Sequence, residues 1–110
     1  MKLKLYVPKK DNLGKCLIEK IKTLDKILLE YGGFTRISAE GFWKNKNIVY
    51  SEGFWKNKNI LYKDDIFIYT IFCNIDQKII NEILFYIKIA MRQITVSYEI
   101  DSEFKLFKGF

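Results

Sequence analysis

Residues 35–72 read TRISAEGFWKNKNIVYSEGFWKNKNILYKDDIFIYTIF, and this stretch contains a tandem duplication. The segment EGFWKNKNIVY at 40–50 returns as EGFWKNKNILY at 52–62, so the unit repeats after 12 residues. Solenoid proteins use longer periods of about 20–50 residues. We therefore interpret the duplication as an insertion into one hairpin, not as a repeat architecture.

A single longer hairpin accommodates the insertion without changing the rest of the fold. Its turn is predicted near Ser51-Glu52-Gly53, where the glycine supplies a positive φ. Each strand then gains about six residues, or ~20 Å at ~3.3 Å per residue. We predict a long β-arm over roughly 40–62 that projects beyond the sheet. A wide ordered loop is the main alternative, whereas an extra strand would reverse the direction in which the chain leaves.

The segments on either side of the hairpin predict one strand and one helix each. Residues 2–7 alternate between polar and apolar side chains, as a half-buried strand does. A helix over about 12–31 follows, with Leu13 on its inner face and Gly32-Gly33 at its end. After the hairpin, Ile66–Phe72 is an apolar run that favours a central strand buried on both faces or at an interface.

The C-terminal third continues with a helix over about 76–93, for which Asn74 or Asp76 offers a cap. Residues 94–100 alternate as a last strand, and the aromatic tail 104–110 is expected to dock on the body. The order β-α-β-β-α-β predicts one domain over 1–110 with a ferredoxin-like α+β fold. Such a fold has a four-stranded antiparallel sheet with both helices on one face. We expect Tyr69 and other aromatics on the open face, covered by a second copy in a homodimer.

Charge and cysteine usage limit the partners and the compartment. The chain carries 19 Lys+Arg and 13 Asp+Glu, a net charge of +6, which favours nucleic acid, a ribonucleoprotein or an acidic protein face. AT-rich coding sequence would also enrich lysine. Cys16 and Cys73 lie in apolar patterns and are predicted to be buried free thiols. The N-terminus alternates instead of forming an apolar segment, so we expect a cytoplasmic protein without membrane contact.

The residues that usually perform catalysis are missing or scattered. Histidine is absent, and no hydrolase, Walker or dinucleotide-binding motif occurs. Asp64-Asp65 is interpreted as a solvated bend rather than a metal site, and Asp25 as a surface partner of Lys22 and Lys26. We expect no enzyme activity, no catalytic residue, no metal, no cofactor and no small-molecule substrate.

The duplicated unit supplies the candidate binding surface. Aromatic rings stack on unpaired bases, lysines neutralise phosphates and asparagines read base edges. For one copy alone, packing of the aromatic pair at the hairpin base, with KNKN as a solvated turn, is the preferred explanation. Both copies cannot fill the same niche, so at least one Phe-Trp pair is predicted to lie on the arm. The candidate residues are Phe42, Trp43, Lys44, Asn45 and Lys46 with Phe54, Trp55, Lys56, Asn57 and Lys58.

Several short motifs resemble those of small uncharacterised proteins from phages, plasmids and bacteria. They are Tyr6-Val7-Pro8 with Asp11-Asn12, Gly32-Gly33-Phe34-Thr35, Gly41-Phe42-Trp43 and Tyr62-Lys63-Asp64-Asp65. The resemblance covers residues 5–75 and implies a ferredoxin-like fold, but no activity. A mobile-element origin fits accessory proteins that block host defence, such as anti-CRISPR proteins. Many of those are acidic DNA mimics, so this basic chain would act on an RNA-bearing or acidic surface.

Together these observations predict a non-catalytic binding module that contacts nucleic acid or a ribonucleoprotein through the arm. The alternative is a protein-interaction or self-assembly module whose arm forms a homodimer interface.

Overall fold

The computed structural model describes residues 1–11, 13–51, 54–72 and 74–109, with side chains except at 43–51 and 54–63. Within these ranges the chain is α+β, as predicted. The helices are α1 (Ile18–Leu29) and α2 (Gln77–Ala90). The strands are β1 (Lys2–Pro8), β2 (Thr35–Ser51), β3 (Phe54–Phe72), β4 (Val96–Ile100) and β5 (Glu103–Phe107).

The five strands form one sheet in the order β2-β3-β1-β4-β5, and every neighbouring pair is antiparallel. β1 therefore lies in the middle, between β3 and β4. Its alternation of polar and apolar residues becomes an alternation of burial: Leu3, Leu5 and Val7 are inaccessible to solvent and their neighbours are half-buried. The core fills the space between this face of β1 and the inner faces of α1 and α2.

The prediction of a four-stranded sheet is wrong, because the tail after β4 forms a fifth strand. Ile100 pairs with Glu103, which leaves Asp101 and Ser102 as a two-residue turn with φ values of 49° and 71°. Positive φ at both central positions matches the twist of a tight hairpin, so the chain reverses at once. The backbone N–H of Lys2 also donates to the Asp101 carboxylate over 2.8 Å, which ties this turn to β1.

Helix α1 begins later than predicted. The Asp11 carboxylate accepts hydrogen bonds from the backbone N–H groups of Leu13 and Lys15, and Gly14 adopts a φ of 81°. These contacts fold the segment into a turn that competes with the helix, which is the usual behaviour of aspartate near a helix start. Leu13, predicted on the inner face, is exposed. Cys16, predicted to be buried, is also exposed, whereas Cys73 lies outside the described residues.

Other helix signals are confirmed. Asp76 caps α2, since its carboxylate accepts from the backbone N–H of Ile79 over 2.9 Å. Gly32 and Gly33 both have positive φ, at 104° and 99°, where α1 ends.

The last predicted strand starts at Val96 rather than at Ile94, whose side chain is exposed.

The placement of Tyr69 on the open face is wrong. Tyr69 pairs with Leu5, so both residues face the helices, and the Tyr69 side chain has no solvent exposure. The run 66–72 is consequently not buried on both faces: Ile71 is buried, whereas Phe72 is exposed. The uninterrupted apolar pattern concealed which set of alternating residues faces the core.

The strands β2 and β3 pair continuously through both copies of the duplicated unit, from Thr35 with Thr70 to Ser51 with Phe54. β1 accompanies β3 only as far as the pair Pro8 and Ile66. Beyond it, β2 and β3 continue as a two-stranded ribbon, defined as 41–51 with 54–64. The molecule measures 56 × 28 × 27 Å, and its radius of gyration of 16.0 Å exceeds the ~13 Å expected of a compact chain of this length. The predicted turn residues Glu52 and Gly53 lie outside the described residues.

Candidate binding site

A cationic cleft lies between α1 and the sheet, with a volume of about 320 Å³. Its wall includes apolar side chains from α1 and one aromatic ring from β3, while the charged residues come from α1, from β2 and from the residue that follows β1. The residues that line it are Lys9, Cys16, Ile18, Ile21, Lys22, Asp25, Arg36 and Phe67. Among them three cations face one carboxylate, and Lys22 also pairs with Glu19 over 3.4 Å, so the net positive charge suits an anionic ligand.

The Phe67 ring holds two of these cations in place. The Lys9 Nζ lies 4.4 Å from the ring centroid, and the Arg36 guanidinium carbon lies 4.6 Å from it. Both distances are within the ~6 Å at which a cation is attracted to an aromatic face. Lys9 also donates to the Ser38 hydroxyl over 3.1 Å, so its side chain reaches from the end of β1 to β2. The two charges are therefore positioned before any ligand arrives.

Among the described residues that line the cleft, Asp25 is the one carboxylate, and neighbouring donors occupy it. Asp25 accepts a hydrogen bond from the Tyr69 hydroxyl over 2.6 Å and another from Arg36 Nη1 over 2.7 Å. The pKa of Arg36 is raised, mainly by its hydrogen bond to Tyr69 and further by Asp25, against the opposing effect of burial. The predicted pairing of Asp25 with Lys22 and Lys26 is therefore not what holds it. These bonds use only Nη1 of the guanidinium, which has further N–H donors.

Of the residues predicted to bind a partner, Phe42 is the one whose side chain is described, and it is 58% exposed. The others lie on the ribbon, where the structure describes the strands but not the side chains. They are Trp43, Lys44, Asn45, Lys46, Phe54, Trp55, Lys56, Asn57 and Lys58.

Strand register nevertheless assigns each ribbon position to a face. Positions two apart share a face of a strand, and so do directly paired positions. The positions of Lys44 and Lys46 therefore belong to the same face as Arg36, as does Lys63, which pairs with Phe42. Cationic positions therefore recur on the ribbon along this face, but the paired carboxylates Glu40 and Asp65 lie on the same face between them and the cleft.

The two copies of the duplicated unit do not present the same face. Trp43 pairs with Tyr62, whereas Trp55 pairs with Tyr50. Because an odd position of β2 and an odd position of β3 fall on opposite faces in this register, the two tryptophan positions are on opposite sides of the ribbon. The duplication therefore does not place its two tryptophan positions on one surface.

The opposite face of the sheet, not covered by helices, carries exposed apolar residues. Each has more than half of its surface exposed, and they come from β2, β3 and β5: Ile37, Phe72, Phe104 and Leu106. Near the middle of this face the Tyr6 hydroxyl donates a short hydrogen bond to Glu99. Burial, assisted by Glu99, raises the pKa of Tyr6 to about 12.

Comparison with known proteins supplies no relative: no family model matches the chain, and no curated protein matches it. Among the described residues, no three His, Cys, Asp or Glu side chains converge as a metal site. No helix in the described part of the chain is both long and apolar enough to cross a bilayer. The functional inference therefore depends on the cleft and the ribbon.

Sequence reasoning missed the cleft entirely. Arg36 and Phe67 come from two different strands and Lys9 directly follows a third, and none belongs to a recognisable motif. Only the register, which aligns Val7 and Ser38 with Phe67, brings them together.

Proposed function

We propose that the chain is a non-catalytic module that binds single-stranded nucleic acid along the cationic cleft and the adjoining face of the ribbon. The observation that carries this proposal is the pair of cations held over Phe67, with Lys22 lining the same cleft. Lysine and arginine at such a site neutralise phosphates, and the guanidinium plane of arginine also stacks on bases.

The recurrence of cationic positions along one face supports a linear ligand. Beyond the paired acids Glu40 and Asp65, the three cleft cations are followed on the same face by the positions of Lys44, Lys46 and Lys63. Exposed aromatic surface lies at the junction, at Phe42. A folded globular partner would not need such an extended track, whereas a nucleic-acid backbone carries regularly spaced anions.

Affinity for a labelled single-stranded 20-mer, measured by fluorescence anisotropy at several salt concentrations, tests the proposal. With about six phosphates neutralised, log K should fall against log salt with a slope of about −4. The variant Lys9→Ala/Lys22→Ala should bind about tenfold more weakly and lose about 1.4 of that slope. The matched control Lys78→Ala/Lys108→Ala removes the same charge from exposed sites outside the cleft.

The control should retain nearly the wild-type affinity and slope. Equal losses in the two variants would mean that binding depends only on net charge, and the cleft would not be the site. Absence of binding to RNA and DNA at about 50 mM salt would refute the proposal, because non-specific electrostatic binding is strongest at low salt.

A second candidate function is self-assembly, favoured by the exposed apolar residues on the open face and by the two-stranded ribbon. An isolated two-stranded ribbon is at best marginally stable in water, so association with a second copy would stabilise it. Light scattering at low and high salt separates the two candidates. A salt-tolerant dimer that becomes monomeric when 52–63 are deleted would favour self-assembly.

We also propose that the fold is ferredoxin-like, extended by β5 at the β4 edge of the sheet. The support is the strand order β2-β3-β1-β4 with antiparallel neighbours, which is the order that two split β-α-β units give. A role as an accessory protein of a mobile element, directed at a ribonucleoprotein, is compatible with this proposal and would be tested by the same binding assay with a structured RNA–protein complex.

A further inference from the structure

A second cavity, here called the base cavity, lies where the ribbon leaves the sheet and has a volume of about 240 Å³. It is separate from the cationic cleft and has a different lining. β1 ends beside it and β4 begins beside it, so it opens at one end of the three central strands. The lining residues used below are Tyr6, Phe42, Asp64, Ile66, Ser97 and Phe104.

Aromatic rings contribute much of this lining. The Tyr6 and Phe104 rings make an edge-to-face contact, with centroids 6.5 Å apart and planes at 61°. Phe104, on the same face as Tyr6, exposes more than half of its surface, as does Phe42, which lines the cavity although its position belongs to the other face of the sheet. Aromatic faces carry partial negative charge, so such a lining attracts cations.

The charged group of the base cavity is an acid. Asp64 is half-buried there, and its pKa is raised by burial and by the adjacent Asp65 carboxylate. A second carboxylate, that of Glu99, accepts a hydrogen bond from the Tyr6 hydroxyl. None of the described residues that line the cavity is Lys or Arg, although the chain contains 19 of them. Local charge is therefore opposite to that of the cationic cleft.

We propose that the base cavity binds an organic cation, an alkylammonium or a guanidinium group, between its aromatic rings and Asp64. A cation would lower the energetic cost of the half-buried carboxylate and gain attraction from the rings. The volume is below the ~300–1,000 Å³ of pockets that hold drug-sized ligands, and it suits a single side chain or a small amine. The proposal does not depend on nucleic-acid binding.

The same chemistry has two sources: a free small amine, or a lysine or arginine side chain of a protein. Tetramethylammonium serves as the small cation, and the blocked peptide acetyl-Gly-Lys-Gly-amide serves as the side chain. Their neutral counterparts are tert-butanol and the same peptide with norleucine. Backbone amide signals of the ¹⁵N-labelled protein report binding, at constant ionic strength set with sodium chloride.

We expect saturable shifts at Ile66, Ser97 and Phe104 with the cations, in the millimolar range, and none with the neutral counterparts. Asp64→Asn should weaken binding at least tenfold while leaving the spectrum otherwise native. Phe104→Leu, which keeps the apolar bulk but removes the ring, should weaken it about two- to fivefold. Lys9→Ala/Lys22→Ala should bind the cations like the wild type, which keeps this result distinct from that of the nucleic-acid assay.

Tighter binding of the lysine peptide would identify a protein side chain as the ligand, and tighter binding of tetramethylammonium would identify a small amine. Either result supports the site. The proposal is wrong if neither cation gives saturable shifts up to about 50 mM, well above the millimolar range expected of a weak site. It is also wrong if tert-butanol gives the same shifts, or if both Asp64→Asn and Phe104→Leu bind like the wild type.

Discussion

The hydroxyl of Tyr69 donates a 2.6 Å hydrogen bond to the carboxylate of Asp25 and thereby joins β3 to α1. Arg36 completes the cluster from β2, with Nη1 donating to both Asp25 and the Tyr69 oxygen, the latter over 3.2 Å. One polar cluster thus connects a helix and two strands at the border of the apolar core. The cluster also holds Arg36 beside Phe67 in the cationic cleft.

Replacing Tyr69 with phenylalanine should lower the free energy of unfolding by about 1–2 kcal/mol, because Asp25 then loses one donor and Arg36 loses one acceptor. Urea denaturation measures this change. The matched control is Tyr86→Phe, which removes a hydroxyl that donates to the exposed backbone carbonyl of Lys20 over 3.1 Å. The control should cost clearly less. Equal costs would mean that the Asp25 cluster contributes no special stability.

Stability should decline in alkaline solution. Burial raises the pKa of Tyr6 to about 12. Burial also raises the pKa of Tyr69, and the hydrogen bond to Asp25 raises it further. Because both folded-state pKa values lie above the unfolded value of about 10, the folded protein retains these protons longer. Their contribution is complete below about pH 10 and is lost as pH rises toward 12.

Urea denaturation from about pH 8 to 11.5 tests this sign, because in this range both hydroxyls titrate in the unfolded chain, near pH 10, while those of the folded protein stay largely protonated. The double variant Tyr6→Phe/Tyr69→Phe should show a shallower alkaline decline in stability than the wild type, because it lacks both hydroxyls. Lysine titration affects the two proteins equally. Parallel pH profiles would contradict the prediction.

A substitution in the turn between β4 and β5 should raise the free energy of unfolding instead of lowering it. Ser102 has a φ of 71°, which costs energy for any residue with a Cβ atom. Ser102→Gly should therefore raise the free energy of unfolding by about 0.5–1 kcal/mol. Ser97→Gly, within β4, should instead lower it by a similar amount. A destabilised Ser102→Gly variant would mean that the turn depends on the serine side chain.

Deleting residues 52–63 removes one copy of the duplicated unit and should shorten the ribbon without disturbing the sheet. The pairs from Thr35 with Thr70 to Gly41 with Asp64 remain available in the same register. The maximum dimension, 56 Å in the full chain, should fall by about 20 Å in small-angle X-ray scattering. The melting temperature should change by only a few degrees. A loss of cooperative melting would show that the core needs the longer ribbon.

Local patterns predicted the elements whose signals are local. The alternation of 2–7, the Asp76 cap and the paired glycines after α1 each act within one turn or strand, so they appear in the structure as expected. The predicted start of α1 was wrong, because Asp11 offers the backbone a competing set of hydrogen bonds. The fifth strand was not predicted, because Asp101 and Ser102 do not form one of the residue pairs that indicate a tight hairpin.

The sites were less predictable than the fold. No motif marks Phe67 as a site residue. The two cations beside it, Lys9 and Arg36, become neighbours only through pairing between distant parts of the chain. Tyr69 illustrates the same limit, since an apolar run does not reveal which alternate residues face the helices. Charge composition indicated an anionic partner, but it could not divide the surface into a basic cleft and an acidic aromatic cavity.

The register of the ribbon has a consequence for how this gene can vary. An inserted unit with an even number of residues divides equally between β2 and β3, so Gly41 still meets Asp64 and the core is unchanged. An odd insertion would need a bulge or a shift of every pair below it. Natural length variants at this point are therefore expected to differ by even numbers of residues, so selection can adjust the reach of the ribbon independently of the folded body.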